Sequence, residues 1–240
     1  MSSKELTTNT SLGDLFGNGG ALSTQTAADL KALDAMTSSS AFLQRMQLYS
    51  KGKSGATGTI IEGGHFGIPR SSDDIVDLGT SVDMLVIARK AKAIDMSDTD
   101  NIIVSNSPSD AEFKRIVDLA DNTRDSGCAY GPTYLVYERS TSSFYELFMG
   151  NKSGRYASGK INEFLPSLVD GTPSFPTMTL KSEYITKGKW NWFAPKPSAG
   201  LTPIDLPDAE ALKSEIERFM KEEGEEGVET VEAPASSRKR

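Results

Sequence analysis

The chain has 240 residues, 37% of them hydrophobic and 8% aromatic, which suits one domain with decorations or two small ones. No apolar run approaches the roughly eighteen residues of a membrane helix, and Met1-Ser-Ser-Lys-Glu-Leu lacks a secretory apolar stretch, so neither a membrane nor a secreted protein is expected. The single cysteine, Cys128, and single histidine, His65, exclude an intramolecular disulfide framework, multi-thiolate zinc sites and histidine-rich metal centres.

The formal net charge is −7, but it is unevenly placed. Asp208–Glu232 holds ten acidic and three basic residues, and Arg238-Lys239-Arg240 then adds three positive charges. Between Asn151 and Gly200 there are seven basic residues against three acidic ones. The acidity therefore belongs to a tail, and the body has a basic region.

Residues 1–25 are rich in Ser, Thr, Asn and Gly and read as a flexible arm. Ala27, Leu30, Leu33 and Ala35 give a weak helical pattern, and Phe42, Leu43, Met46 and Tyr49 a better one. Lys51-Gly-Lys-Ser-Gly-Ala-Thr-Gly58 breaks it as a flexible basic loop. Thr57–Glu62, Asp83–Ile94 and Ile102–Val104 read as three strands. Ser109 and Glu112 form a capping-box pattern ahead of a helix with Phe113, Ile116, Val117 and Ala120 on one face. Thr133–Arg139 and Phe144–Met149 follow as alternating strands joined by Ser140–Ser143. A short helix is expected around Ser158–Leu165, stopped by Pro166. Met178–Thr186 and Trp190–Phe193 flank Lys187-Gly188-Lys189, the clearest hairpin signal in the chain. Prolines 195, 197, 203 and 207 mark a linker, Asp208–Lys221 a helix, and Glu222–Arg240 a disordered acidic tail.

The order is three strands, a helix, two strands and an appended hairpin. That order fits a mainly β, α+β fold: a five-stranded barrel of the oligonucleotide-binding (OB) type, with its helix between strands three and four and flanking N- and C-terminal helices. The expected division is a flexible arm over 1–25, an OB-like nucleic-acid-binding domain over 26–200, and linker, helix and tail over 201–240.

No catalytic constellation emerges. Gly52-Lys53-Ser54 is not a phosphate loop, because Gln47 stands where its first glycine belongs and the flanking elements are in the wrong order. His65 has no serine elbow beside it and reads as a loop or packing residue. Cys128 reads as a small buried apolar group. Asp95, Asp98, Asp100 and Asn101 lack the glycine and closing glutamate of a calcium loop. Asp73, Asp74 and Asp77 solvate a loop more readily than they bind Mg²⁺. The expectation is a protein that is not an enzyme and has no metal or other cofactor.

Basic and aromatic residues instead interleave. Lys152, Arg155, Tyr156 and Lys160 lead into Lys181, Tyr184, Lys187, Lys189, Trp190, Trp192 and Phe193. Strand alternation puts Trp190 and Trp192 on one face and Phe193 on the other. Cations that follow phosphates and rings that stack bases, at about 1–3 kcal/mol each, are what a single-strand groove requires. A core filling for the same tryptophans competes evenly with this reading. Tyr130, Tyr134, Tyr137, Phe144, Tyr145 and Phe148 form a second aromatic cluster near Arg139, from which Tyr137 and Tyr145 extend the platform. Lys51 and Lys53 are further phosphate contacts. The acidic tail is positioned to compete with DNA for this groove and to recruit partners once displaced.

The strand order, the aromatic-basic hairpin, the proline linker and the acidic tail over about residues 57–232 together resemble single-stranded DNA-binding proteins of phage replication modules. The resemblance implies an OB fold and sequence-tolerant binding of single-stranded DNA in viral replication and recombination. From composition, a cytoplasmic location (the host's, if viral) without membrane association is expected; the tail is expected to contact replication or recombination proteins, and a homo-oligomer is one assembly state the sequence leaves open. The ending Ser-Ser-Arg-Lys-Arg departs from the acidic, apolar-terminated tails of that family. A virion structural or assembly protein is the alternative. It would show exposed apolar patches, whereas a DNA binder would show a positive groove with Arg155, Lys181, Lys187 and Lys189 beside exposed rings.

Overall fold

A computed structural model describes residues 43–55, 58–71, 74–98 and 101–221. The fold is mainly β with a few helices, of the α+β class. Its strands are β1 (Arg45–Leu48), β2 (Lys53–Gly55), β3 (Gly58–Ile61), β4 (Phe66–Pro69), β5 (Ile75–Gly79), β6 (Ser81–Asp95), β7 (Ile103–Ser105), β8 (Cys128–Glu138), β9 (Ser143–Phe148), β10 (Ser167–Val169), β11 (Thr172–Ser174), β12 (Thr177–Lys187) and β13 (Trp190–Ala199). The helices are α1 (Ala111–Asn122), α2 (Lys152–Ile161) with a 3₁₀ turn at Asn162–Phe164, and α3 (Ala209–Met220).

Nine strands form one open, mixed sheet in the order β13-β12-β6-β8-β9-β1-β4-β5, with β7 pairing β6 beside this path. Only the β1–β9 pair is parallel among them. β2–β3 and β10–β11 are separate two-stranded ribbons.

The fifteen-residue β6 runs through the centre of this sheet. Its register against β8 shifts between Val86 and Ala88, leaving Ile87 as the extra residue of a bulge. A bulge bends a strand and exchanges the faces its side chains point to. Ahead of it Val82, Met84 and Val86 enter the main core with Met46, Phe66, Tyr134, Val136, Leu147, Met178 and Leu180. Ala157 and Ile161 of α2, with Phe164, cover this inner face. On the opposite, outer face Leu85, Ile87 and Leu135 pack under Leu212 and Phe219 of α3. α1 closes a third cluster of Ala93, Phe113 and Ile116.

Several sequence expectations are corrected. The pattern Phe42-Leu43-Met46-Tyr49 is not helical over its described part: Arg45–Leu48 is β1, with only Met46 of its four residues buried, held between β4 and β9. The N-terminal flanking helix therefore has no counterpart there, and the Ala27–Ala35 pattern and the 1–25 arm lie outside the described residues. The capping box does not form, because α1 starts one residue later with Asp110 at its N-cap. Ser109 Oγ instead meets Ser107 Oγ at 2.8 Å, and Glu112 accepts from Arg115. α2 begins at Lys152, six residues before the expected Ser158, where the Asn151 side chain accepts from the Gly154 amide at 2.7 Å. The segment Lys51–Gly58 is not simply a loop, since Lys53–Gly55 pairs with β3. Pro195 and Pro197 belong to β13 rather than to a linker; β13 is the edge of the sheet, where a missing amide donor is tolerated.

Candidate nucleic-acid interface

β12 and β13 form a hairpin closed by Gly188-Lys189, with Gly188 at φ +61°. Lys187 opposite Trp190 places a two-residue turn there, and the glycine supplies the positive φ such turns demand. β12 pairs with β6 only over Thr177–Lys181. The remainder of the hairpin, from Ser182 to Phe193, is an arm that extends beyond the ladder to β6.

Directly opposed residues of antiparallel strands share a face. One face of the arm therefore carries Lys187 with Trp190, Ile185 with Trp192, Glu183 with Ala194, and Lys181 with Lys196. The other carries Tyr184 with Phe193, whose rings are 5.0 Å apart and tilted by 58°. Phe193 lies against Gly64 and Gly63 in the turn between β3 and β4, so this second face is the docked one. The first is open towards the turn, where Trp190 is 64% exposed and Lys187 and Lys189 are exposed beside it; Lys181 is exposed at its far end, Ile185 is half-buried and Ala194 buried, and on the second face Tyr184 is 55% exposed. Lys189 Nζ stands 5.5 Å from the Trp190 ring centroid, a cation–π contact that leaves the ammonium at the surface. Trp192 is half-buried, and Lys196 Nζ pairs with Glu183 Oε1 at 2.6 Å.

The remaining predicted site residues divide into two groups. Lys152 and Tyr156 are exposed on α2, Tyr156 at 92%, and with Lys160 they repeat at i, i+4 and i+8 along one stripe. Lys160 is paired with Glu163. Lys51 is exposed and Lys53 half-buried; the backbone of Lys51 and Gly52 adjoins Gly63, which touches Phe193. Arg139 and Arg155, in contrast, are half-buried and engaged by other parts of the fold. Arg139 donates to Asp83 Oδ2 at 3.1 Å and to the carbonyls of Thr202 and Pro203, bracing the approach to α3. Arg155 donates to the carbonyls of Tyr130 and Gly150 and lies 4.1 Å from the Tyr130 ring centroid. The Tyr130 hydroxyl donates to Asp121 at 2.7 Å, and this bond, with burial, pushes its pKa up.

Tyr137 and Tyr145 do not form one platform. Tyr137 pairs with Phe144 and Val136 with Tyr145, so the two tyrosines point to opposite faces. Tyr145 is buried in the main core, its hydroxyl 3.0 Å from Thr141 Oγ1. Tyr137 lies half-buried beside Phe144, ring centroids 5.0 Å apart, in the cluster under α3. The sequence reading also missed the outer-face cations Arg45, Lys90 and Lys92, because their common face is set by the bulge at Ile87.

Of the polar candidates set aside in the sequence, His65, Asp77, Asp95 and Cys128 have internal partners, and Asp73 and Asp100 lie outside the described residues. His65 Nδ1 stands 2.8 Å from Asp77 Oδ2, and the Gly79 amide donates to Asp77 Oδ1 at 2.7 Å. The Asp95 carboxylate accepts from the Ser97 hydroxyl at 2.6 Å, from the Ser97 amide at 3.0 Å and from Arg115 at 2.7 Å, which holds it well below the usual carboxylate range. Burial, and then a hydrogen bond to Asp95, push the Cys128 thiol up. Among the described residues no group of three or more His, Cys, Asp or Glu side chains stands together as a metal site. No described helix is long and apolar enough to cross a membrane. Leu168 and Val169, each 54% exposed, form a small apolar tip at the β10–β11 turn.

The chain matches no family model, no curated protein and no solved structure.

Proposed function

We propose that this protein binds single-stranded DNA without sequence preference and serves viral DNA replication or recombination, with no catalytic step of its own. One observation carries the reading: the undocked face of the β12–β13 arm presents Trp190, Ile185 and Trp192 in a row, bordered by Lys181, Lys187 and Lys189. An exposed tryptophan loses solvent-facing apolar area when a base stacks on it, and the lysines offer charge to the phosphates on either side. In this reading β6 to β9, with α1 between β7 and β8, are the counterpart of an OB-like barrel laid open within the larger sheet, and the arm is appended to it. Lys51, Lys53, Lys152 and Tyr156 extend the phosphate path. Arg139, Arg155 and Tyr137 support the surface from within, and residues 222–232 contribute a polyanion that competes for it and recruits replication proteins.

The test is a titration with fluorescently labelled oligo-dT at two salt concentrations, following both the label and intrinsic tryptophan emission. Binding that quenches tryptophan and weakens steeply with salt supports the proposal. No binding at low salt, together with self-association through the Leu168–Val169 tip, would support an assembly role instead.

A further inference from the structure

The arm's open face and the α3-covered face are one surface. Thr177 and Thr179 of β12 pair with Leu85 and Asp83 of β6, so the row that carries Lys181, Ile185 and Lys187 continues onto the outer face of the sheet. From there it runs through Leu85, Tyr137 and Phe144 to Ala88, Leu135 and Glu146, then to Lys90, Thr133 and Phe148. The far end is cationic. Lys92 and Arg45 flank Glu146 at 3.0 and 3.6 Å, Arg45 lies 5.9 Å from the Phe148 ring centroid, and Lys90 stands one row away. Arg45 and Lys92 thus share the Glu146 carboxylate, beside Lys90 and Thr133, and Thr133 Oγ1 is buried without a hydrogen-bond partner.

α3 lies across the middle of this surface, with Leu212 and Phe219 packed on Leu85, Ile87 and Leu135 and its C-terminal end at Lys90. Lys90 Nζ donates to the Phe219 carbonyl at 2.7 Å and sits 4.7 Å from the Phe219 ring centroid. That contact puts an anion-like group, the negative end of a helix, and an aromatic ring on the cationic patch, the two chemistries a nucleotide offers. On the helix itself Glu215 Oε2 is buried without a hydrogen-bond partner, a cost its departure would relieve, while Glu217 Oε1 lies 3.9 Å from Lys213 Nζ.

We infer that the outer sheet face beneath α3 is a second single-stranded DNA-binding surface, contiguous with the arm, and that α3 is the cover the strand displaces. This inference rests on the proposed binding function. With the helix removed, phosphates take the place of the Phe219 carbonyl at Lys90, and bases stack on Tyr137 and Phe144. The path then extends from Trp190 to Arg45.

Hydrogen exchange of the full chain, with and without saturating oligo-dT long enough to pass the arm, tests it. The expected result is slower exchange in residues 182–193 and faster exchange in 209–220. Protection of the arm with unchanged or slowed exchange in α3 overturns the cover and leaves the arm's function standing. No change anywhere under saturating DNA overturns both. A second measurement is independent of the first: Phe219→Ala weakens the cover, so a variant that still melts cooperatively should bind oligo-dT about three- to tenfold tighter. Unchanged or weaker affinity in the folded variant overturns the inference; should the variant fail to fold, the exchange experiment decides.

Discussion

Phe193 packs on Gly64 so closely that a Cβ at position 64 would stand 2.5 Å from Phe193 Cε1, and Gly64 itself has φ +87°. This contact seats the docked face of the arm on the turn between β3 and β4, and it leaves the tryptophan face outward. Gly64→Ala meets both a strained backbone and the ring, so it should cost roughly 1–3 kcal/mol of stability. Amide exchange in residues 182–193 should rise with it. A variant with wild-type melting and wild-type exchange in the arm would show that the turn does not seat the arm.

Trp190 is the most exposed ring of the arm, and its replacement should leave the fold intact. Trp190→Ala is expected to weaken oligo-dT binding by about 1–3 kcal/mol and to reduce the fluorescence change, with Trp190→Phe recovering most of the affinity. Isothermal titration with each variant separates the two effects. Equal affinity for wild type and Trp190→Ala would remove this ring from the DNA path.

The arm was legible in the sequence because its information is local. Lys187-Gly188-Lys189 between two β-rich runs sets the turn, and a period of two sets the faces of Trp190, Trp192 and Phe193. β1 was not legible, because Met46 is held by β4 and β9, partners about twenty and one hundred residues away, and four residues cannot display a strand period. Pro195 and Pro197 read as linker because only the sheet order reveals that β13 is an edge. The continuity of the Tyr137–Phe144 face with Lys90 and Lys92 depends on the register shift at Ile87, which no periodicity records.

Lys187 and Lys189 are expected to act through charge. Replacing both with Ala should flatten the dependence of log affinity on log salt by about one to two units while the tryptophan quench persists. An unchanged slope would place the turn outside the phosphate path.

Asp95 makes acid sensitivity a local property of the β6 terminus. Its folded-state pKa is depressed, chiefly by the Ser97 hydroxyl and amide and then by Arg115. A depressed carboxylate contributes stability above its unfolded pKa, near 4, and that contribution is lost as pH falls towards the folded value. Asp95→Asn should therefore lower the melting temperature at pH 7 and approach the wild type as the pH falls below about 3. The same substitution removes the carboxylate that helps push the Cys128 thiol up, so alkylation of Cys128 at pH 8 should quicken. A melting difference that is constant across this pH range would assign the effect to packing rather than charge.

Residues 222–232 contain six glutamates and begin two residues after Met220, the last residue of α3. They lie outside the described residues, but their attachment does not: α3 ends where Lys90 meets the Phe219 carbonyl, next to Lys92 and Arg45. A polyanion joined at that point has a local concentration on the order of millimolar at the cationic end of the sheet, so even a weak contact would be populated. Removing residues 222–240 should tighten binding to oligo-dT, most visibly at low salt where the competing attraction is unscreened. Removing only Arg238-Lys239-Arg240 should leave affinity unchanged or slightly reduced, since these three cations favour DNA. Both truncations leave α3 in place, so their effect separates from that of Phe219→Ala: the tail acts through screened charge and its gain fades with salt, whereas loss of the ring should persist at high salt. A long truncation with unchanged low-salt affinity would show that the glutamates do not compete for this face.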